Sequence, residues 1–250
     1  MKKYVVTASL MAGLSMVSGA AFAQTSGTIG ANWSHVDPDG GSETDGYGIN
    51  GGVAIPVGGN LAVLLDASWS TVDDTDVDLT TGTAHLISRD ADGAWGGFVG
   101  LGNLDAGGID ADLWSVGGEY AKFFDSSTLA LSVAYATIDD TDVDLWGLSG
   151  EYRIFSNDNL RFDLGGGWAR VDTGFGDGDG FQVGAGVEYR FAGTPFSIGG
   201  NVSYLNSDDL GDATTIGATL RFDFGNESLK SRDRTGNTFG SLGGLASFLQ

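Results

Sequence analysis

The chain has 250 residues, a formal net charge of −21, 43 glycines, 3 prolines and no cysteine. Without cysteine there are no disulfides and no thiolate metal sites, and the acidic excess excludes a nucleic-acid partner, because phosphate backbones are bound through clustered Lys and Arg. A hydrophobic fraction of 41% is too high for a disordered chain, and after the first residues no apolar run is long enough for a membrane helix.

Residues 1–23 read as an export signal. Lys2 and Lys3 form a short positive region, an apolar stretch runs from Tyr4 to Val17, and small residues end in Ala21-Phe22-Ala23 before Gln24. The stretch is too short and too rich in Gly and Ser for a spanning helix. Cleavage takes the formal charge from −21 to −23, because Lys2 and Lys3 leave.

From Tyr47 to residue 224 the pattern has a period of two, the signature of strands with two unlike faces. Leu160, Phe162, Leu164, Gly166 and Trp168 alternate with Arg161, Asp163, Gly165, Gly167 and Ala169. Phe181, Val183, Ala185, Val187, Tyr189 and Phe191 alternate with Gln182, Gly184, Gly186, Glu188 and Arg190, and Ile216, Ala218, Leu220, Phe222 and Phe224 alternate likewise. Twelve strands are predicted, at 28–36, 46–56, 61–72, 83–89, 94–104, 112–124, 128–138, 143–155, 160–171, 180–191, 195–205 and 214–224. Ten, with 83–104 as a loop insertion, is the rival count. Most reach the roughly 9–11 residues that a tilted strand needs to cross a bilayer. The expected fold is all-β: a transmembrane antiparallel up-and-down barrel over 24–224, followed by a C-terminal periplasmic extension, 225–250.

The connections alternate between two kinds. Gly58-Gly59-Asn60, Asp125-Ser126-Ser127, Ser156-Asn157-Asp158-Asn159 and Ala192-Gly193-Thr194 are tight-turn sequences. Segments 37–45, 73–82, 105–112, 139–144, 172–179 and 206–213 hold most of the acidic residues and no Lys or Arg. Short periplasmic turns and longer external loops are the asymmetry of bacterial outer-membrane barrels. The heptapeptide Asp73–Leu79 recurs identically as Asp139–Leu145. Asp74-x-Asp76-x-Asp78 begins like a calcium loop, but Leu79 stands where Gly is required and His85 where Glu is, so no metal site is expected.

Aromatic residues fall at strand ends, as in the girdles at both membrane interfaces. Tyr120, Tyr152, Tyr189 and Phe224 are assigned to the periplasmic side, with Trp33, Trp69, Trp114, Trp146, Trp168 and Tyr204 nearer the outside. On these residues, the signal segment and Thr219-Leu220-Arg221-Phe222-Asp223-Phe224, the sequence resembles the loosely related small outer-membrane β-barrel proteins of Gram-negative bacteria, porin-like and opacity-like members included. The resemblance covers about residues 24–224 and implies assembly by the barrel machinery, contact with outer-membrane lipids and lipopolysaccharide, and small solutes or ions as cargo. It is compatible with a homo-oligomer without specifying one.

The chain departs from that group by continuing past Phe224. Its extension carries Lys230, Arg232 and Arg234, with Leu242, Leu245, Ala246 and Leu249 at helical spacing. It is expected to be either a flexible periplasmic end or a short helix docked at the mouth or in the lumen.

On the strand assignment Glu119, Glu151, Arg153, Arg161, Asp163, Glu188, Arg190, Arg221 and Asp223 point inward near the periplasmic ends. They form either an ion-pair lattice bracing the wall or a charged constriction in a pore. Inward Gly165, Gly167, Ala130, Ser132, Ala134, Gly184, Ser197 and Gly199 widen the lumen and favour the pore. His35 and His85 have no accompanying nucleophile motif and are expected to be incidental interface or loop residues. The expectation is therefore a cofactor-free, non-enzymatic diffusion channel with acidic outer loops. The rival is a sealed surface barrel binding lipopolysaccharide, divalent cations or a host surface.

Overall fold

A computed structural model describes residues 25–73, 77–139, 143–174, 176–207 and 211–240. The export-signal segment, residues 74–76 and 140–142 of the two repeats, and Leu242, Leu245, Ala246 and Leu249 lie outside these residues. Twelve strands form one closed sheet: β1 (Ser26–Pro38), β2 (Thr44–Gly58), β3 (Leu61–Val72), β4 (Val77–Arg89), β5 (Gly93–Ala106), β6 (Ile109–Phe123), β7 (Ser127–Ile138), β8 (Val143–Asn157), β9 (Leu160–Thr173), β10 (Gly176–Arg190), β11 (Phe196–Ser207) and β12 (Gly211–Phe224). Each pairs antiparallel with its chain neighbours. The predicted last strand closes the barrel: Gly27 lies opposite Phe224, and the register runs to Pro38 opposite Ala213. Closure leaves no unpaired edge, which is what allows a sheet to sit in hydrocarbon.

The two faces are inverted relative to a soluble protein. Ile49, Leu86, Trp95, Val99, Leu101, Leu148, Leu164, Ile216 and Leu220 are exposed on the outside. An apolar surface this continuous is a lipid contact, not a soluble exterior. Aromatics border it in two rows. Trp33, Tyr47, Trp69, Trp114, Tyr135, Trp146, Trp168, Phe181 and Tyr204 lie toward the acidic end. There Tyr135 packs between Trp114 and Trp146, with ring centroids 5.6 and 4.8 Å away. Trp95, Tyr120, Tyr152, Tyr189, Phe196, Phe222 and Phe224 lie toward the end that holds both barrel termini. Replacing lipid-facing Leu164, 54% exposed, by Arg places a charge in the apolar belt. We expect it to lower folding stability in vesicles by about 2–4 kcal/mol, read from urea titrations; an unchanged midpoint would argue against a hydrocarbon-facing surface.

Two differences from the sequence reading stand out. The Asp-rich segments are mostly strand, not long loops. β1 runs to Pro38 and β2 begins at Thr44, β5 runs to Ala106 and β6 begins at Ile109, and β4, β8 and β12 begin at Val77, Val143 and Gly211. Pairing satisfies backbone groups that a loop would leave to water. The β5–β6 connection is only Gly107-Gly108, at φ +57° and +92°, a twist that two-residue hairpins need and that glycine adopts without strain. The second difference is β4, which begins at Val77 instead of 83. Its Leu79 points into the lumen with Thr81 and Thr83 while polar neighbours face out, so the usual apolar-out rule hides the strand.

The interior is packed unevenly. Toward the acidic end Leu79, Phe98, Leu113, Ala134, Ala136 and Leu145 form one buried cluster, flanked by Leu104, Ile138, Val143 and Val171. Toward the other end Ala54, Ala62, Leu64, Ile87, Ala94, Ala121, Phe123 and Ala130 form a second, completed by Phe239 from the C-terminal segment. On β9, β10 and β11 the inward positions are instead Gly165, Gly167, Gly184, Gly186 and Gly199, and space remains.

Candidate functional site

The chain turns back into the barrel immediately after β12. Gly225 makes the turn at φ +73°, so close to Thr25 and Ser26 that any Cβ would collide with them. A seven-residue helix follows, α1 (Leu229–Thr235), with the Ser228 hydroxyl accepting from the Ser231 amide at 3.0 Å. It occupies 229–235, upstream of the helical spacing noted at 242–249.

The helix is held by two charged residues that face opposite parts of the wall. Arg232 donates to Glu188 at 2.5 and 3.0 Å and to Asp223 at 3.1 Å. Asp233 accepts from Arg153 at 2.6 Å and from the Thr128 hydroxyl at 2.6 Å. Burial lowers the Arg232 pKa, but the facing Glu188 and Asp223 carboxylates outweigh it and raise the value, so the guanidinium stays charged. Beyond the helix, Arg89 donates to the Gly236 carbonyl and the Thr238 hydroxyl, both at 2.9 Å, and Arg153 to the Thr238 carbonyl at 2.7 Å. Arg234 reaches the Phe124 carbonyl in the turn after β6. Leu229 is fully buried.

Of the nine inward charges picked from sequence, eight belong to this one network. Glu188 is its hub, accepting from Arg221 at 2.9 Å and Ser197 at 2.6 Å and pairing with Arg161 at 3.3 Å. Arg161 pairs with Asp163 at 2.7 Å, Arg153 with Glu151 at 2.6 Å, and Arg190 with Asp223 at 3.5 Å. Glu119 stands apart from the arginines. Its Oε2 lies 2.8 Å from His85 Nδ1, and His85 Nε2 lies 2.7 Å from Asp66. His85 is therefore no rim residue: it is 1% exposed inside the barrel, on β4 opposite Leu64, with Asp66 opposite the neighbouring inward Thr83. His35 does lie at a strand end, on the outer face, 2.9 Å from Asp45.

Sequence reasoning missed Asp66, His85, Arg89 and Asp233. Strand parity could have placed the first three in the lumen; nothing local marks the partners of Asp233.

Among the described residues, two cavities lie between this network and the wall. The larger, about 430 Å³, is lined by Glu119, Ser132, Ser149, Glu151, Arg153, Asp163, Gln182, Asn201 and Ser203 over a floor of glycines on β9 and β10. The smaller, about 180 Å³, lies among Asn50, Asp66, Arg153, Arg161, Arg221, Arg232 and Asn237. Both border Phe239 and Gly240.

A closed barrel with a lipid-facing exterior, aromatic borders and a polar, partly filled lumen defines an outer-membrane β-barrel protein. Solved structures agree on that fold. An outer-membrane channel from Pseudomonas putida F1 is 14% identical, with a TM-score of 0.59 over 80% of this chain and 95% of that one. The translocator domain of the autotransporter NalP from Neisseria meningitidis is 13% identical, with a TM-score of 0.52 over 86% and 92%. A KdgM porin, in complex with disordered oligogalacturonate, is 11% identical, with a TM-score of 0.50 over 78% and 99%. No protein-family model matches the sequence, and no curated protein sequence does.

Proposed function

We propose that the protein is a passive diffusion channel of the outer membrane, with the acidic end outward, the tight turns and barrel termini in the periplasm, and no enzymatic step. The observation that carries this is the cavity of about 430 Å³ along the glycine-lined wall, into which several polar side chains reach. A barrel built only as a membrane plug has no use for inward glycines, which weaken strands and leave volume. The channel-type neighbours are consistent with the reading. The acidic mouth, where Asp39, Glu43, Asp73, Asp105, Asp110, Asp139, Asp172 and Asp177 outnumber the basic His35 and Arg170, concentrates cations before the lumen. In planar bilayers under a salt gradient, full-length protein is expected to conduct with a reversal potential of cation-selective sign. A barrel folded by its heat-dependent gel shift that passes no current in any condition, with or without residues 225–250, would end the channel reading.

One observation favours the rival. Phe239 completes an apolar cluster and α1 is locked by buried ion pairs, as in a lumen meant to stay shut. In that reading the acidic rim serves lipopolysaccharide, divalent cations or a host surface, and no truncation opens a pore.

A further inference from the structure

We infer that the larger cavity is a binding site for a small neutral polyol or sugar, held between the side-chain amides of Gln182 and Asn201; the inference names the solute class of the proposed channel and rests on that reading. The first argument is charge. The ionised groups that border the cavity are matched within the wall, Glu151 with Arg153 at 2.6 Å and Asp163 with Arg161 at 2.7 Å. The Glu119 side chain is fully buried against His85, 2.8 Å away, and is sealed from the cavity. A charged solute would find no unmatched partner there, and its desolvation would go uncompensated. A neutral one carries no such cost.

The second argument is the set of groups left to bind. Gln182 on β10 is half-buried and Asn201 on β11 is exposed to the lumen, and both line the cavity. The Gln182 amide nitrogen has only a long contact to the Ser203 hydroxyl, at 3.4 Å. Its carbonyl oxygen and the whole Asn201 amide have no hydrogen-bond partner among the described residues. An amide both donates and accepts, and so does a hydroxyl, so the pair suits a polyhydroxylated solute better than an ion. Between the two amides the wall is bare. The next inward residues on β10 are Gly184 and Gly186, with Gly186 opposite Asn201, and Gly165 and Gly167 continue the strip on β9. Four residues of strand set Gln182 and Asn201 roughly 13 Å apart along the wall, and on β10 no side chain keeps a solute off the backbone. Phe239 borders the same space and offers an apolar surface to the C–H edges of a carbon chain. A volume of about 430 Å³ with a few polar groups on a largely apolar lining is the usual form of a small-molecule site.

The test is calorimetric titration of the full-length chain, folded in a sugar-free detergent, with sorbitol, gluconate and glucamine. The three share one carbon chain and differ at one end, which is neutral, anionic or cationic. Saturable binding of sorbitol is expected, with the two charged probes weaker by about tenfold or more. Gln182→Leu combined with Asn201→Leu keeps most of the bulk and removes both amides. It should weaken sorbitol about tenfold or more, the loss of at least two hydrogen bonds. Gly165→Leu leaves both amides in place: a Cβ there meets wall atoms only at 3.4 Å and beyond, so the added side chain fills the cavity and should abolish binding. Three results would overturn the site: no saturable sorbitol binding, a charged probe binding as tightly as sorbitol, or either variant keeping wild-type affinity while showing the folded gel shift. Saturable binding without conductance would end the channel reading and leave the site standing. Conductance without saturable binding would do the reverse.

Discussion

Deletion of residues 225–250 is expected to raise the single-channel conductance of the folded barrel several-fold. The segment is the densest obstruction in the described lumen: α1, Asn237, Thr238 and Phe239 separate the larger cavity from the end that holds both barrel termini. The barrel should survive the deletion, because the wall can balance its own charge. Glu151 keeps Arg153, Asp163 keeps Arg161, Glu188 keeps Arg221, and Asp223 keeps Arg190. Only Arg89 among the wall arginines is left without a wall acid in the network, and water entering the opened lumen can solvate it. What the segment loses on leaving is the burial of Leu229 and Phe239, about 1.5–3 kcal/mol each, together with ion pairs whose Coulomb gain is largely offset by desolvation. Such a plug is firmly seated but contributes little to closing the sheet. Equal conductance of full-length and truncated protein would show that the obstruction lies elsewhere, with the apolar cluster around Leu79, Leu113 and Leu145 the next candidate.

The second large effect is on stability. Glu188→Ala should destabilise the barrel by roughly 3–5 kcal/mol, seen as a lower urea midpoint for unfolding in micelles. The carboxylate faces Arg161, Arg221 and Arg232 and accepts from Ser197. Its removal leaves three guanidinium groups close together around a position where Glu188 itself is only 4% exposed, so their repulsion is poorly screened. Contrast Arg170→Ala at the acidic rim, where the pair with Asp177 is about half exposed on both sides. Water and salt already screen that interaction, and a loss of no more than about 1 kcal/mol is expected. Replacing Glu188 and Arg232 together should cost less than Glu188→Ala alone, since one of the stranded charges leaves with its partner. Equal costs for Glu188→Ala and Arg170→Ala would mean that the lumen is wet enough to screen its charges, which would favour a wide aqueous pore.

Most strands were legible because strand geometry is local. Side chains alternate faces with a period of two whatever the strand later pairs with, so Leu160–Trp168, Phe181–Tyr189 and Ile216–Phe224 declare their lipid faces residue by residue. The same parity puts Glu151, Arg153, Arg161, Asp163, Glu188, Arg190, Arg221 and Asp223 in the lumen. Parity fails where the lumen itself is apolar. Leu79 looks like a lipid-facing residue in an acidic loop, and only its packing against Phe98, Leu113 and Leu145 explains why β4 starts at Val77.

Partners across the lumen are a different matter. Glu188 and Arg232 are 44 residues apart, Arg153 and Asp233 are 80 apart, and Arg89 meets Gly236 across 147 residues. Those meetings depend on how many strands close the ring, on the stagger of each hairpin, and on the turn at Gly225 that sends the chain inward instead of away. None of these is encoded in the local alternation. The sequence by itself therefore determined a barrel, its two faces and a ring of inward charge. Only the closed tertiary structure decided that the charge would be used to hold the chain's own C-terminal segment, and that a cavity would stay open beside it along the glycine-lined wall.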